Sequence, residues 1–290
     1  MIPNGPELTS SQFGKLAAII HADSGIVLND AKKSLLMARL NRRLRTLQLS
    51  DYGAYCSYLD GADGPEERRH LLSAITTNVT AFFREEHHFH ALTAEVLPPL
   101  ISIARQGGRV RLWSAACSSG EEPYSMAMTL LELFPEAGRH DVLILATDID
   151  PVIVERARAG RFGAEEVKAL DERRRQKFFN RQGDVYIARD ELRQLIRFAE
   201  LNLHEAWTFS GRFDVIFCRN VAIYFDGDAR RRLWHRFAAL LPPQGELFIG
   251  HSERIDGPAG PLFDIAGATR YRRNTQQDTS SPMQGTNRCR

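Results

Sequence analysis

Apolar residues recur at helical spacing through the N-terminal part of the chain. One helix is predicted for SSQFGKLAAIIHADSG, which begins with a serine cap and stops at Gly25. A second is predicted for DAKKSLLMARLNRRLRTLQL, where Asp30 is the cap, and two more for DYGAYCSYLD and PEERRHLLSAIT. No strand pattern interrupts these segments, so we expect an all-helical N-terminal domain over residues 8–78.

From Arg109 onward, short apolar runs alternate with helical segments. The strand-like runs are RVRLWSAA, DVLILATDID, RFDVIFCRN and GELFIGHSE, and the helical segments include EEPYSMAMTLLELF, PVIVERARAG and GDARRRLWHRFAALL. This alternation predicts the α/β class, with a parallel, doubly wound sheet in a domain at residues 79–275. Residues 178–200 break the rhythm and are predicted to form a small antiparallel β insertion. Residues 276–290 are polar and aperiodic, which predicts a disordered tail.

Composition and charge limit the classes of function. The 290 residues carry a formal net charge of +2, which is too small to favour wholesale nucleic-acid binding. The scattered cysteines form no CxxC pair, which argues against a zinc site or disulfide framework: they are Cys56, Cys117, Cys218 and Cys289. No apolar stretch has membrane-spanning length and no signal-peptide pattern is present, so we expect a cytoplasmic protein without membrane insertion.

The second predicted helix has a basic side next to its apolar stripe. The stripe consists of leucines at helical spacing: Leu36, Leu40, Leu44 and Leu47. The basic residues beside it are not interrupted by an acidic one: Lys32, Arg39, Arg42, Arg43 and Arg45. Both a solvated helix face and a surface that docks on an acidic partner fit this pattern.

The segment WSAACSSGEEPYS joins a predicted strand to a predicted helix, which is where α/β proteins bind nucleotides. It has a single glycine, Gly120, and two glutamates at the helix start, where a pyrophosphate would be repelled. Small residues and a carboxylate instead favour S-adenosylmethionine, a cationic cofactor without phosphate, which Gly120 would allow to approach closely. Either Glu121 or Glu122 could face this ligand, while the other stabilises the helix dipole.

Two further polar clusters follow predicted strands. Asp148 closes the second strand, where an acidic residue can accept hydrogen bonds from ribose hydroxyls. Its alternative role is to cap the next helix, which Asp150 fills better. Arg219 and Asn220 end a later buried strand, and Tyr224 follows on its exit. Because ligands bind at the carboxyl ends of such strands, we expect these clusters to share one site.

The segment TTNVTAFFREEHHFHAL precedes the sheet and raises the question of a metal site. His87 and His88 are neighbours that we expect to point apart, and no cysteine or carboxylate pair completes a common ligand set. The sequence therefore predicts no metal. Arg84 follows two phenylalanines, so its head group could be held at a site or could lie in solvent.

Five segments together, in this order, resemble the CheR family: TTNVTAFFRE, WSAACSSGEEPYS, ATDID, IFCRNVAIYF and GELFIGHSE. These are bacterial chemotaxis enzymes that methylate glutamate side chains of receptors with S-adenosylmethionine, giving methyl esters and S-adenosylhomocysteine. The resemblance runs from the N-terminal helices to about Tyr271. It implies a Rossmann-like S-adenosylmethionine-dependent methyltransferase domain, preceded by the helical domain.

The resemblance also implies roles for individual residues. Cofactor contacts would fall on Asn78, Thr80, Arg84, Glu122, Asp148, Asn202, Leu203, Arg219 and Asn220. Arg84 and Tyr224 would lie nearest the methyl transfer. The residues implied to dock on the acidic methylation region of a receptor are Lys32, Arg39, Arg42 and Arg43. The turn RQGDVYIARDEL is short compared with tail-binding members, which argues against capture of a receptor tail peptide.

The expected chemistry needs no general base, because a glutamate carboxylate, whose pKa in water is about 4.3, is already ionised at neutral pH. We expect a monomer that binds neither nucleic acid nor a metal. Two alternatives stay open: a catalytically silent adaptor that binds S-adenosylmethionine, and a methyltransferase that acts on another substrate. A dehydrogenase is disfavoured because the loop lacks G-x-G-x-x-G.

Overall fold

A helical unit occupies the N-terminal part of the computed structural model, which describes residues 6–274. Its helices in this range are α1 (Ser10–Ser24), α2 (Lys33–Thr46), α3 (Tyr52–Tyr58) and α4 (Gly64–Ile75). Their apolar faces enclose one core, to which α1 and α2 contribute Phe13, Leu16, Ile20, Leu36, Leu40 and Leu44. The predicted leucine stripe of α2 therefore packs inward as far as Leu44, and Leu47 packs beside the core at the helix end.

The ends of these helices differ in detail from the sequence prediction. Thr9, not a serine, caps α1 in a capping box with Gln12. Gly25 ends α1 at φ 71°, and a Cβ atom there would lie 2.6 Å from His204 Nδ1, so both conformation and space require glycine. Asp30 starts a 3₁₀ turn (Asp30–Lys32), and α2 begins only at Lys33. Lys32 is thus on a turn before the helix and not on the helix face.

The second unit is built on a seven-stranded sheet. Its strands are β1 (Val110–Ala115), β2 (Val142–Asp148), β6 (Ile196–Glu200), β7 (Val215–Cys218), β8 (Glu246–Ile249), β9 (Phe263–Gly267) and β10 (Arg270–Arg273). They lie in the order β6-β2-β1-β7-β8-β10-β9. The pairs among the first five strands are parallel, whereas β10 runs antiparallel to β8 and β9. The sheet is mixed, because a closing hairpin completes the predicted parallel core.

Helices cover both faces of this sheet. They are α5 (Glu86–Ala91), which continues through a π turn (Leu92–Val96) into α6 (Leu97–Arg105), then α7 (Glu121–Leu133), α8 (Pro151–Ala159), α9 (Glu172–Phe178), α10 (Asp190–Arg193) and α11 (Gly227–Leu240). Alternate residues of β1 divide between two cores: Leu112 belongs to one and Trp113 to the other. Since successive strand residues point to opposite faces, each face of the sheet has its own core. The predicted α/β class with a preceding helical unit is confirmed.

A three-stranded antiparallel sheet is inserted between α8 and α10. It consists of β3 (Arg161–Gly163), β4 (Phe179–Gln182) and β5 (Val185–Ala188), in the order β3-β5-β4. The predicted bounds of 178–200 are wrong at both ends. The sheet begins at β3, whose three residues are too few to give a period-two pattern, and the final residues belong to β6, which pairs in parallel with β2.

Contacts between the two units converge on the segment after α1. Ile26 forms an isolated antiparallel bridge with Phe225, and the Val27 backbone N–H donates to the Tyr224 carbonyl at 2.9 Å. Asn202 Nδ2 donates to the Asp23 carbonyl at 2.6 Å. These bonds hold the helical unit against the carboxyl edge of the large sheet.

Three of the four cysteines, Cys56, Cys117 and Cys218, are buried and free. Cys289 and the predicted tail at 276–290 lie outside the described residues. Over residues 6–274, no helix combines the length and the hydropathy that crossing a membrane requires.

Candidate active site

A cavity opens where the helical unit meets the carboxyl ends of the parallel strands. It is lined by the segment after α1, the linker at 75–84, and the loops that follow β1, β2, β6, β7 and β8. Within the sheet, β2 and β6 lie on one side of β1, and β7 and β8 lie on the other. The cavity is therefore at the switch point of the sheet, the usual ligand position in open α/β folds.

All the residues that the resemblance assigns to cofactor binding or methyl transfer line this one cavity. They are Asn78, Thr80, Arg84, Glu122, Asp148, Asn202, Leu203, Arg219, Asn220 and Tyr224. Lys32 lines it too, although the resemblance places that residue in receptor docking. Residues from distant parts of the sequence thus meet in one place.

The loop between β1 and α7 has an unusual backbone. Ala116, Ser118 and Gly120 all have positive φ, at 64°, 51° and 104°. The loop is held by the Ser118 N–H, which donates to Asp148 Oδ2 at 2.9 Å. A Cβ atom at position 120 would lie 3.1 Å from the Ala157 Cβ of α8. Gly120 thus permits the close packing of two helices, while a close approach of its backbone to the ligand stays a prediction.

The two glutamates at the start of α7 have different surroundings. Glu122 lines the cavity, where its carboxylate accepts hydrogen bonds from Ser114 Oγ at 2.7 Å and Arg219 Nη1 at 3.1 Å. Glu121 is buried away from the cavity and accepts from Ser119 Oγ at 2.7 Å. Burial raises the pKa of both carboxyl groups, and at Glu122 the charge of Arg219 opposes that rise. Glu122 is therefore the glutamate available to a ligand.

Arg219 is the centre of a buried charge network. Its guanidinium lies 3.1 Å from Glu122 and 3.6 Å from Glu85, and these side chains are 2%, 12% and 11% exposed. Arg219 Nη2 also donates to the Arg84 carbonyl. Burial acts against ionisation of Glu85, but Arg219 and a hydrogen bond from His251 outweigh it and hold the Glu85 pKa below its usual value. Sequence reasoning missed Glu85, which no local pattern distinguishes from Glu86.

A second residue that sequence reasoning missed, Glu253, shapes the loop after β7. Its buried carboxylate accepts backbone N–H groups from Asn220, Val221 and Ile223 at 3.0, 3.0 and 3.3 Å. The loop turns sharply at Asn220, which has a φ of 59°, and the hydrogen bonds to Glu253 hold this turn in place. The only signal was its place in the motif GHSE, which carried no individual role.

Asp148 and Asp150 have different positions: one lines the cavity and the other caps α8. Asp150 caps α8 by accepting from the Val152 N–H at 3.0 Å, as predicted. Asp148 lines the cavity, and its two carboxylate oxygens accept backbone N–H groups of Asp150 and Ser118 at 3.1 and 2.9 Å. Burial raises the pKa of Asp148. Its remaining lone pairs are free to accept further hydrogen bonds.

Half of the predicted basic face of α2, Arg39 and Arg43, is turned into the protein. Arg43 forms a bidentate ion pair with Glu67 of α4, with an Nη2–Oε2 distance of 2.6 Å. Arg39 donates to the carbonyls of Ala74 and Thr76 at 3.0 and 2.6 Å. The expectation of an uninterrupted basic surface is wrong, because an acidic residue of another helix neutralises part of it. Arg42 and Arg45 are the members that remain exposed.

The histidine segment also differs from expectation. The rings of His87 and His88 do not point apart: their centroids are 4.2 Å apart, and Glu85 adds a carboxylate, so that three possible ligand atoms lie within 4.8 Å. Arg219 already supplies positive charge 3.6 Å from that carboxylate, which opposes a cation there. Burial lowers the His88 pKa to about 3, and its Nε2 contacts Thr269 Oγ1 at 2.9 Å. The absence of a metal stays a prediction.

The polar groups of the cavity suit a cationic ligand without phosphate. Glu122 and Asp148 present acceptor oxygens, and Ser118 Oγ is buried without a hydrogen-bond partner among residues 6–274. Two glutamates occupy the start of α7, the end of a helix that would otherwise attract a phosphate. An amino-acid ammonium and ribose hydroxyls would satisfy these groups, as S-adenosylmethionine provides.

Comparison with known proteins gives the same result. The family model "CheR methyltransferase, all-alpha domain" matches residues 11–76, and "CheR methyltransferase, SAM binding domain" matches residues 78–271. A probable chemotaxis protein methyltransferase of Rhizobium etli is 48% identical, over 89% of this chain and 98% of its own. The chemotaxis protein methyltransferase of Escherichia coli is 43% identical over 91% of both chains, and chemotaxis protein methyltransferase 2 of Pseudomonas aeruginosa is 41% identical over 91% and 93%. This chain therefore belongs to the CheR family of S-adenosylmethionine-dependent methyltransferases.

Proposed function

We propose that this enzyme transfers a methyl group from S-adenosylmethionine to glutamate carboxylates of chemotaxis receptors, giving glutamyl methyl esters and S-adenosylhomocysteine. The observation that carries the proposal is that motif residues from distant parts of the described chain line one cavity. The names of the relatives, chemotaxis protein methyltransferases, support the pathway. A catalytically silent adaptor finds no support in a chain that belongs to a methyltransferase family.

The chain's own residues suggest how the cofactor would be held. Asp148, at the end of β2, would accept hydrogen bonds from the ribose hydroxyls. Glu122 would face the cationic amino-acid end, with Arg219 keeping its carboxylate oriented. Asn202 Nδ2 is bonded to the Asp23 carbonyl, so its place in the cavity wall depends on the helical unit. When bound, the cofactor supplies an electrophilic methyl group on a cationic sulfur.

The proposed reaction requires no general base from the protein. The acceptor carboxylate is already ionised near neutral pH, so a C–O bond can form as the S–C bond breaks without removal of a proton. Both reacting charges are neutralised, and a site that excludes water favours such a change. Arg84 would orient the carboxylate; its Nη1 is held by the Val79 carbonyl at 2.9 Å. Tyr224 would line the path of the methyl group.

The proposal also covers the oligomeric state, the cellular location and the binding partners of the enzyme. The enzyme would act as a monomer in the cytoplasm, on the methylation region of receptors, and would bind no nucleic acid. Docking on acidic receptor segments would use the exposed Arg42, with Arg45 beside it, because Arg39 and Arg43 are occupied by contacts within the helical unit. We propose no capture of a receptor tail by the small sheet.

The test is transfer of radiolabelled methyl groups from S-adenosylmethionine to receptor-containing membranes. We expect label on the receptor that is released as methanol by mild base, the behaviour of an ester. The variant Arg84→Ala should lose most of kcat/KM while its melting temperature stays unchanged, because the side chain bonds only locally. Base-stable label would contradict the ester, and near-normal turnover of the variant would remove Arg84 from the reaction.

A further inference from the structure

Lys32 carries a cation from the helical unit into the cavity wall. It closes the 3₁₀ turn between α1 and α2 and lines the same cavity as Arg84 and Tyr224. Its Nζ atom lies 4.8 Å from the centroid of the Tyr224 ring, in a cation–π contact. One side chain of the helical unit thus touches a residue that the resemblance places next to the reacting methyl group.

The charge of Lys32 has no compensating carboxylate in the described part of the chain. Within residues 6–274, no carboxylate oxygen lies within 4.0 Å of its ammonium group. Two other cations of the helical unit are paired: Lys15 with Asp60 at 2.6 Å and Arg43 with Glu67 at 2.6 Å. A half-buried ammonium that meets only an aromatic ring retains most of its capacity to bind an anion.

The position of Lys32 is determined by the junction between the two units. Upstream of it, Ile26 bridges to Phe225, and the Val27 N–H bonds to the carbonyl of Tyr224 itself. The chain then turns through the 3₁₀ segment, where the Lys32 N–H donates to the Asn29 carbonyl at 2.9 Å. The segment that bears the lysine is therefore tied to the residue whose ring the lysine covers.

Within the described residues, the acidic side chains of the cavity and its unpaired cations come from different parts of the chain. The acidic side chains, Glu122 and Asp148, come from the first turn of α7 and the end of β2 and suit a cationic cofactor. Arg219, on the same side, is neutralised by Glu122 and Glu85. The cavity cations that have no carboxylate partner among residues 6–274, Lys32 and Arg84, come from the segments before the sheet. An anion that enters this cavity meets them without displacing an existing ion pair.

We propose that Lys32 forms a binding subsite for the ionised carboxylate of the methyl acceptor. The proposal rests on the function proposed above and adds to it the source of selectivity for a carboxylate. The ammonium group attracts the ionised side chain into the cavity, while a neutral amide gains little. The helical unit then contributes a wall of the active site, and Lys32 does not belong to an outer docking surface.

The test compares wild-type enzyme with K32M, K32R and the neighbouring K33M. Methionine keeps the apolar stem against Tyr224 and removes only the charge, and Lys33 is a matched control outside the cavity. Initial rates are measured with membranes that contain an overproduced chemotaxis receptor of the source organism. Affinity for S-adenosylmethionine is measured by calorimetry, and folding by thermal unfolding.

We expect K32M to raise the KM for receptor about tenfold, or about 1.4 kcal/mol. Its cofactor affinity and melting temperature should not change, K32R should recover most of the loss, and K33M should behave as wild type. An unchanged KM, a loss confined to kcat, or an equal loss of cofactor affinity would overturn the proposal. If wild-type enzyme forms no base-labile ester, the proposed function fails; if it forms ester and K32M matches it, the Lys32 subsite alone fails.

Discussion

The cavity has two walls that are built on different principles. The sheet wall holds its charges in a closed network, in which Arg219 lies between Glu85 and Glu122 and all three side chains are nearly buried. The helical wall is joined to the rest by a few bonds, among them His21–Asp226 at 2.7 Å, whose side chains are 49% and 35% exposed. Its cation, Lys32, has no carboxylate partner within the described residues.

The difference follows from what each wall contacts. A buried charge must be compensated where it lies, because desolvation is costly and a missing partner leaves the cost in place. The sheet wall therefore suits a ligand of constant structure, the cofactor. A charge that is half exposed tolerates the absence of a partner and can receive one from solution. The helical wall can therefore receive its counter-charge from the carboxylate of the proposed acceptor.

The largest effect is expected from breaking the network of the sheet wall. Arg219→Ala leaves Glu85 and Glu122 buried without a cation, and such a loss costs about 3–5 kcal/mol. The free energy of unfolding, measured with urea at neutral pH, should fall by that amount. The matched control is Arg156→Ala, which breaks a more exposed ion pair with Glu166 and should cost less than about 1 kcal/mol. Equal losses in both variants would mean that the network adds nothing beyond a surface pair.

The next largest effect separates the two adjacent glutamates. Glu122→Gln removes the negative charge that faces the cavity and should weaken binding of S-adenosylmethionine about thirtyfold, or about 2 kcal/mol. Glu121→Gln is the matched control, because that side chain bonds to Ser119 away from the cavity, and its affinity should stay close to wild type. Calorimetric titration measures both.

Acidification should sharpen this second comparison. Burial raises the pKa of Glu122 in spite of Arg219, so the carboxylate gains a proton at a higher pH than an exposed glutamate does. Affinity of the wild-type enzyme for the cationic cofactor should therefore fall as the pH is lowered. Glu122→Gln has no charge to lose at this position and should show a flatter profile. A larger affinity loss in Glu121→Gln than in Glu122→Gln would reverse the assignment.

The sheet wall was predictable from the sequence to a greater extent than the helical wall. Polar residues after apolar strands, such as Asp148 and Arg219, meet at one edge because parallel strands share a direction. The fold class follows from the same alternation. Glu85 and Glu253 were not predictable in this way, because their roles depend on partners about 30 residues or more away in the chain.

The helical wall shows the limit of reasoning from one helix. The basic residues of α2 are correctly placed by periodicity, but their partners lie on other elements: Glu67 of α4 takes Arg43, and the end of α4 takes Arg39. Periodicity gives the face of a residue and does not give the charge opposite to it. The position of Lys32 was mispredicted for another reason. The backbone forms a 3₁₀ turn before α2, so Lys32 lies in the cavity wall and not on the basic face of the helix.

The smallest effect is expected at the junction of the two walls. Asp226 caps α11 through the Ala229 N–H at 2.7 Å and accepts a hydrogen bond from His21 Nε2. Asp226→Asn keeps the capping oxygen and removes the charge, so the free energy of unfolding at neutral pH should fall by no more than about 1 kcal/mol. Turnover should be unchanged, because Asp226 does not line the cavity.

The pH dependence of the stability difference between wild type and Asp226→Asn tests whether the Asp226 charge causes it. The bond from Ala229, followed by that from His21, lowers the pKa of Asp226 in the folded protein. A lowered carboxyl pKa stabilises the fold above the unfolded value of about 3.9, and this contribution is lost as the pH falls through the folded value. The gap between wild type and Asp226→Asn should therefore be present at pH 5 and close as the pH falls below about 4. Thermal unfolding from pH 5 downward measures it; a gap that persists at the acid end would show that the junction depends on something other than this carboxylate.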